Sequence, residues 1–198
     1  MLPITDLKRH FHSHDGIMMT SELRAIGISN RQLLQLMNDG VLEKIKQGAY
    51  QLSDQLLSEE ALIVKLFPDA VLYLESALFQ YGYSDRIPAA WNLAVDKDSS
   101  KSRFNIVYPQ VRPYFLEEHI VGIGVTQMEI GESVLRIYNR DRTICDVLRN
   151  YNKLDREIVN TAIQRYLNDR HRDMNQLMEY AEKLRVTSKV KNYLGVWL

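Results

Sequence analysis

The stretch that decides the fold runs from Gly16 to Leu52 and reads GIMMTSELRAIGISNRQLLQLMNDGVLEKIKQGAYQL. Thr20 precedes Ser21-Glu22-Leu23, and Leu23 and Ile26 have the spacing of a short amphipathic helix with Thr20 as its N-cap. Gly27 follows at a position suited to a tight, left-handed turn. Ser29 opens a second helix as its N-cap, from Asn30 to Asn38, and Leu33, Leu36 and Met37 form the buried face. Asp39-Gly40 stops it. Val41 to Lys46 and Ala49 to Leu52 alternate as two short strands, with Gln47-Gly48 as the hairpin turn between them.

Working outward, Ile4, Leu7 and Phe11 share one helical face, opened by Pro3 at a favourable first-turn position and ended by Gly16. Helix, short helix, turn, second helix, small hairpin is the order of a winged helix-turn-helix. In such a module the helix that begins after Ser29 enters the major groove of DNA by its N-terminal end. Asn30, Arg31, Gln32 and Gln35 lie on or near the face not used by the buried residues. Arginine reads guanine bidentately, and Asn or Gln reads adenine. Ser29 and Thr20 offer hydroxyls or helix-terminal amides to phosphate. Lys44, Lys46 and Gln47 belong to the wing and would grip the backbone. The competing reading makes each of these an ordinary solvated side chain, and the module a surface for protein contacts.

Downstream, a helix from Ser58, as N-cap, to Phe67 has Glu59 and Glu60 in its first turn, which suits the helix dipole. A short apolar stretch at 71–73 precedes a helix from Glu75 to Tyr81. Trp91 to Val95 and Phe104 to Tyr108 read as strands, with a polar loop from Asp96 to Ser102 between them. Ile120 to Ile130 and Ser133 to Tyr138 read as a strand pair around Gly131. From Asn139 the pattern is helical, over 140–150, 155–168, 173–185 and a basic segment at 188–197. The expected architecture is therefore α+β. A winged helix-turn-helix at 1–55 precedes an α+β domain at 56–198, with a small sheet and a helical C-terminal part.

The 198 residues carry 25 Lys and Arg against 25 Asp and Glu. That balance argues against indiscriminate coating of nucleic acid but hides local patches. Residues 1–57 hold six basic and six acidic side chains; residues 58–100 are net −4 and residues 151–198 net +3. A basic C-terminal end with a neutral head points to a local anionic partner. The single cysteine, Cys145, excludes an intramolecular disulfide and a cysteine-built zinc site. No apolar run approaches the ~20 residues needed to span a bilayer. The first residues lack an apolar core followed by a small-residue cleavage site, so the expected location is cytoplasmic.

Beyond the first hairpin, three further pieces stand in order. They are Leu74-Glu75-Ser76-Ala77-Leu78, then Tyr81-Gly82-Tyr83-Ser84-Asp85 with Ile87-Pro88, then Asn139-Arg140-Asp141-Arg142-Thr143-Ile144-Cys145-Asp146-Val147-Leu148. Together with Gly16 to Leu23 and Gly48-Ala49-Tyr50 they resemble the AbiEi antitoxins of type IV toxin–antitoxin, or abortive infection, systems. The resemblance runs from residue 3 to the C-terminus. It implies a transcriptional repressor that binds double-stranded operator DNA through its N-terminal domain; a homodimer on the DNA is one arrangement open to it. It implies also that the C-terminal domain counteracts a nucleotidyltransferase-like toxin, although some relatives are stand-alone regulators.

Enzyme chemistry finds little support. His10, His12 and His14 alternate at spacing two, which puts them on different faces of a helix and makes a poor metal site. Asp96 and Asp98, with Lys101 close by, could form a nuclease-type metal site, or simply a solvated loop. Gly122-x-Gly124 lacks the third glycine of a dinucleotide fingerprint, and there is no Walker-type or Gly-x-Ser-x-Gly motif. No catalytic residue, metal or cofactor is expected. Arg142 and Asp146 are four apart, which on a helix surface makes an ion pair; Arg142, Lys189 and Lys191 are candidates for a partner surface. Leu184, Val190, Leu194 and Trp197 read as an apolar face that docks the last helix, with the lysines outward.

Overall fold

Pro3 stands at the N-cap of the first helix, α1 (Ile4–Ser13), which buries Leu7 and Phe11. The computed structural model describes residues 2–196. The chain is α+β, with two small sheets. It forms two compact units. The first comprises Met1–Pro68, Ser100–Gln110 and Gly131–Ser133, and the second Asp69–Ser99, Val111–Ile130 and Val134–Leu198.

In the first unit α1 leads to β1 (Ile17–Met19), α2 (Thr20–Ala25), α3 (Asn30–Asn38), β2 (Leu42–Lys46), β3 (Ala49–Leu52) and α4 (Glu59–Leu66). The three strands form an antiparallel sheet in the order β1-β3-β2. Its core joins Leu7 and Phe11 to Met18, Leu23, Ile28, Leu33, Leu36, Leu42, Tyr50 and Leu52. Gly27 adopts φ +87° between α2 and α3, a conformation open to glycine at little steric cost. Thr20 is the first residue of α2 rather than its cap. The cap position falls to Met19, whose N–H donates to the Glu22 carboxylate at 2.6 Å. β1 has no counterpart in the sequence reading, because three residues are too few to display a period.

The segment 100–110 departs most from expectation. Phe104 to Tyr108 is not a strand. Lys101–Phe104 forms a 3-10 turn, and the Phe104 ring stacks on Phe67, with centroids 5.1 Å apart and planes 8° from parallel. Phe104 anchors a loop there instead of filling a sheet, while Val107 and Tyr108 stand exposed, and both rings belong to the first unit. That unit therefore extends past the expected boundary at residue 55, through α4, and takes in a segment some thirty residues further on.

The second unit holds β4 (Val71–Leu72), α5 (Leu74–Gln80), β5 (Trp91–Asp96), β6 (Val111–Leu116), α6 (Glu118–Val121), β7 (Val125–Ile130) and, apart from its first residue, β8 (Ser133–Tyr138). α7 (Arg140–Arg149), α8 (Arg156–Asn168), α9 (Met174–Lys183) and α10 (Thr187–Leu194) follow. The sheet order is β6-β5-β4-β8-β7; β4 pairs antiparallel to β5 and parallel to β8, and β5 pairs parallel to β6. Pro113 sits in β6, an edge strand, where a missing N–H is tolerated. The strand expected from Ile120 is interrupted. α6 takes its start, and Gly124 turns the chain at φ +72°. A Cβ on Gly124 would stand 2.8 Å from the Arg142 Cβ, so glycine is required by space as well as by backbone.

α7 lies at the centre of this unit. Every residue from Asp141 to Leu148 is buried. Arg142 and Asp146 are both fully buried, and the guanidinium Nε donates to the Asp146 carboxylate at 2.7 Å. Arg142 Nη1 donates to the carbonyls of Ile120 and Ile123, each at 2.8 Å, and the guanidinium lies 4.2 Å from the Tyr138 ring centroid. Burial pushes the Asp146 carboxyl above the usual carboxylate range, against the pull of Arg142. The pair is thus an internal strut. Arg142 cannot form part of a partner surface, because none of it reaches solvent.

Candidate functional site

The polar residues singled out at the first unit gather on α3, the turn before it and the β2–β3 hairpin. Ser29 caps α3: its hydroxyl oxygen accepts from the Gln32 N–H at 3.3 Å, and the Gln32 side-chain oxygen accepts from the Ser29 N–H at 2.9 Å. This reciprocal pair satisfies two orphan amides and fixes where the helix starts. Ser29 and Gln32 therefore hold each other. Leu33 and Leu36 anchor the inner side of α3, while Arg31 and Gln35 stand exposed on its outer side. Among the described residues neither the Arg31 nor the Gln35 side chain takes part in a hydrogen bond or ion pair.

Asn30 accepts from Arg24 Nη2 through its side-chain oxygen at 3.1 Å. Arg24, in the last turn of α2, escaped the sequence reading. It is exposed, and with Gly27, Ile28, Ser29, Asn30 and Arg31 it lines an open depression at the N-terminal end of α3. The signal that could have found it is positional: it sits three residues before the turn glycine, on the helix that leads into α3. Two guanidiniums beside a helix N-terminus give this depression an anion-favouring character.

The hairpin divides its polar residues. Lys44 and Gln47 are exposed and joined, with Lys44 Nζ donating to the Gln47 side-chain oxygen at 2.8 Å. Gly48 makes the turn at φ +81°. The Thr20 hydroxyl donates to the Gly48 carbonyl at 3.3 Å and ties the start of α2 to the hairpin. Lys46 faces the other way. Its ammonium is within 3.4 Å of the carbonyls of both Leu66 and Arg103 and lies 4.7 Å from the centroid of Phe67. Its expected role as a phosphate grip is corrected: the charge is held inside the unit by two carbonyls and a ring face.

In the second unit Lys189 donates from Nζ to the carbonyls of Leu148 and Arg149 at 3.0 and 3.2 Å, which closes the C-terminus of α7. Lys191 is exposed. Val190 and Leu194 are buried as the docking face of α10, whereas Trp197 lies outside the described residues. Cys145 is buried, and burial pushes its thiol well above the usual range. Near α7 the Asp169 carboxyl is lowered. Burial alone would raise it, but the hydrogen bonds from Tyr83 and the His171 N–H and the Arg140 charge prevail. Burial pushes the Tyr81 hydroxyl up to about 12.

Among the described residues no group of three or more His, Cys, Asp or Glu side chains could hold a metal ion. Asp96 instead accepts the Asp98 N–H at 2.8 Å, which closes the turn after β5. No helix among the described residues is long and apolar enough to cross a membrane. In comparisons with known proteins no family model and no curated sequence matches this chain.

Proposed function

We propose that the chain is a sequence-specific DNA-binding regulator whose first unit acts as a winged helix-turn-helix. The observation that carries this reading is the outer face of α3, held in place by the Ser29–Gln32 box, with the exposed Lys44–Gln47 pair on the hairpin of the same unit. α3 would enter the major groove by its N-terminal end, with Arg31 and Gln35 towards base edges. Arg24 and the amides at the start of α3 would meet one backbone, and Lys44 another. Thr20, Ser29, Asn30 and Gln32 act mainly by fixing these positions. The fuller form of the proposal follows the resemblance to AbiEi antitoxins, which rests on the residues themselves. It makes the chain a repressor of its own operon that binds as a homodimer and offsets a nucleotidyltransferase-like toxin.

The test is a titration of the purified chain against its own upstream DNA at two salt concentrations, with a scrambled duplex beside it. Selective binding is expected, and Arg31→Ala should cost about 1–3 kcal/mol and relax specificity at one base position. Weak binding that ignores sequence would reject the DNA reading and leave the first unit as a protein-contact module.

A further inference from the structure

Leu34 is 60% exposed on the outer side of α3. Helical spacing sets Arg31 one turn before it and Asn38 one turn after, with Gln35 alongside. Lone exposed apolar residues are ordinary on protein surfaces. This one interrupts a row of side chains with hydrogen-bonding ends, and it does so on the face that carries the candidate site. A helical side chain leans towards the N-terminus of its helix. That lean directs the isobutyl group of Leu34 towards the turn that carries Arg31, one of the residues lining the depression. In the major groove the apolar feature that a base edge presents is the 5-methyl group of thymine.

We propose that Leu34 is a specificity-determining residue that packs against a thymine methyl next to the base pair approached by Arg31. The inference rests on the reading of α3 as the groove-entering helix. Leucine selects here in two ways. It gains by covering the methyl group, and it penalises cytosine, whose exposed amino group would lose water against an apolar side chain that offers no acceptor.

The experiment uses the full chain. Duplexes are first enriched from a random pool. The best duplex is then compared with versions in which each thymine in turn becomes deoxyuracil, a change that removes only the methyl group. At one position the wild type should lose about fourfold in affinity, the value of one buried methyl-sized group. Leu34→Ala should bind the thymine and uracil forms of that position equally. Leu34 is outside the core, so circular dichroism should show Leu34→Ala folded as the wild type is. Indifference of the wild type to every uracil would overturn the inference, and so would a uracil penalty that survives in Leu34→Ala. An altered sedimentation of Leu34→Ala without any thymine effect would assign the residue to contacts between copies and overturn it too. Failure of the wild type to enrich any sequence is a different result, because it removes the DNA reading itself.

Discussion

Arg142 and Asp146 show how far a spacing rule reaches. Four apart on an exposed helix, such a pair stabilises by a few tenths of a kcal/mol. Here both are sealed in the second unit, and the Arg142 guanidinium is the cation that offsets the buried Asp146 carboxylate. Replacing Arg142 by Met should cost about 3–5 kcal/mol in urea unfolding, because it strands a buried carboxylate; Arg142→Met with Asp146→Leu should recover part of that loss. A cost of only a few tenths would return the pair to the surface class. The i, i+4 relation was legible in the sequence. The burial was not. The groups that make it tolerable, the carbonyls of Ile120 and Ile123 and the Tyr138 ring, come from elements earlier in the chain. Periodicity within α7 carries no trace of them.

Elements with strong local signals were read well. Ser29, the alternation of Val41 to Lys46 and Ala49 to Leu52 and the Gln47-Gly48 turn each depend on neighbours a few residues away, and the corresponding helix and hairpin form, with the first strand starting at Leu42. Elements defined by distant partners were misread. The strand expected at 104–108 fails because Phe104 answers to Phe67 rather than to a neighbouring strand. Lys46 was misjudged for the same reason. Alternation on a short strand shows which residues share a side, but what awaits them on that side comes from α4 and from the 100–110 segment. The hairpin thus separates two lysines by role. Lys44→Ala should lower the slope of log affinity against log salt by about 0.9, the loss of one phosphate contact. Lys46→Ala should leave that slope unchanged and lower the urea midpoint of unfolding. The opposite assignment of the two effects would mean that the ammonium of Lys46 is available to DNA.

At the scale of the whole molecule, the notable fact is that the first unit is not a continuous piece of chain. A division at residue 55 predicts that changes near residue 104 leave the N-terminal module untouched. The discontinuous unit predicts otherwise. Phe104→Ala removes the partner of Phe67 and should cost about 3–5 kcal/mol, as buried Phe to Ala changes do. Amide hydrogen exchange should report it as lost protection in α3 and in the β2–β3 hairpin, far away in sequence. Unchanged protection there would restore the boundary at residue 55. Composition and charge could not have found this arrangement: the apolar run at 104–108 stands out from the polar loop before it, but an apolar run does not name its partner.

The discontinuity also sets a schedule. A ribosome delivers the chain from its N-terminus, and domains generally fold in that order as they emerge. For this chain, α1 to α4 leave the exit tunnel well before Phe104, which lies past the midpoint of the sequence. Until then Phe67 lacks its ring partner and the Lys46 ammonium lacks one of its two carbonyls. The face that carries Arg31 and Leu34 is therefore synthesised early but completed late, so a nascent chain arrested before residue 104 should display α3 on an unfinished support.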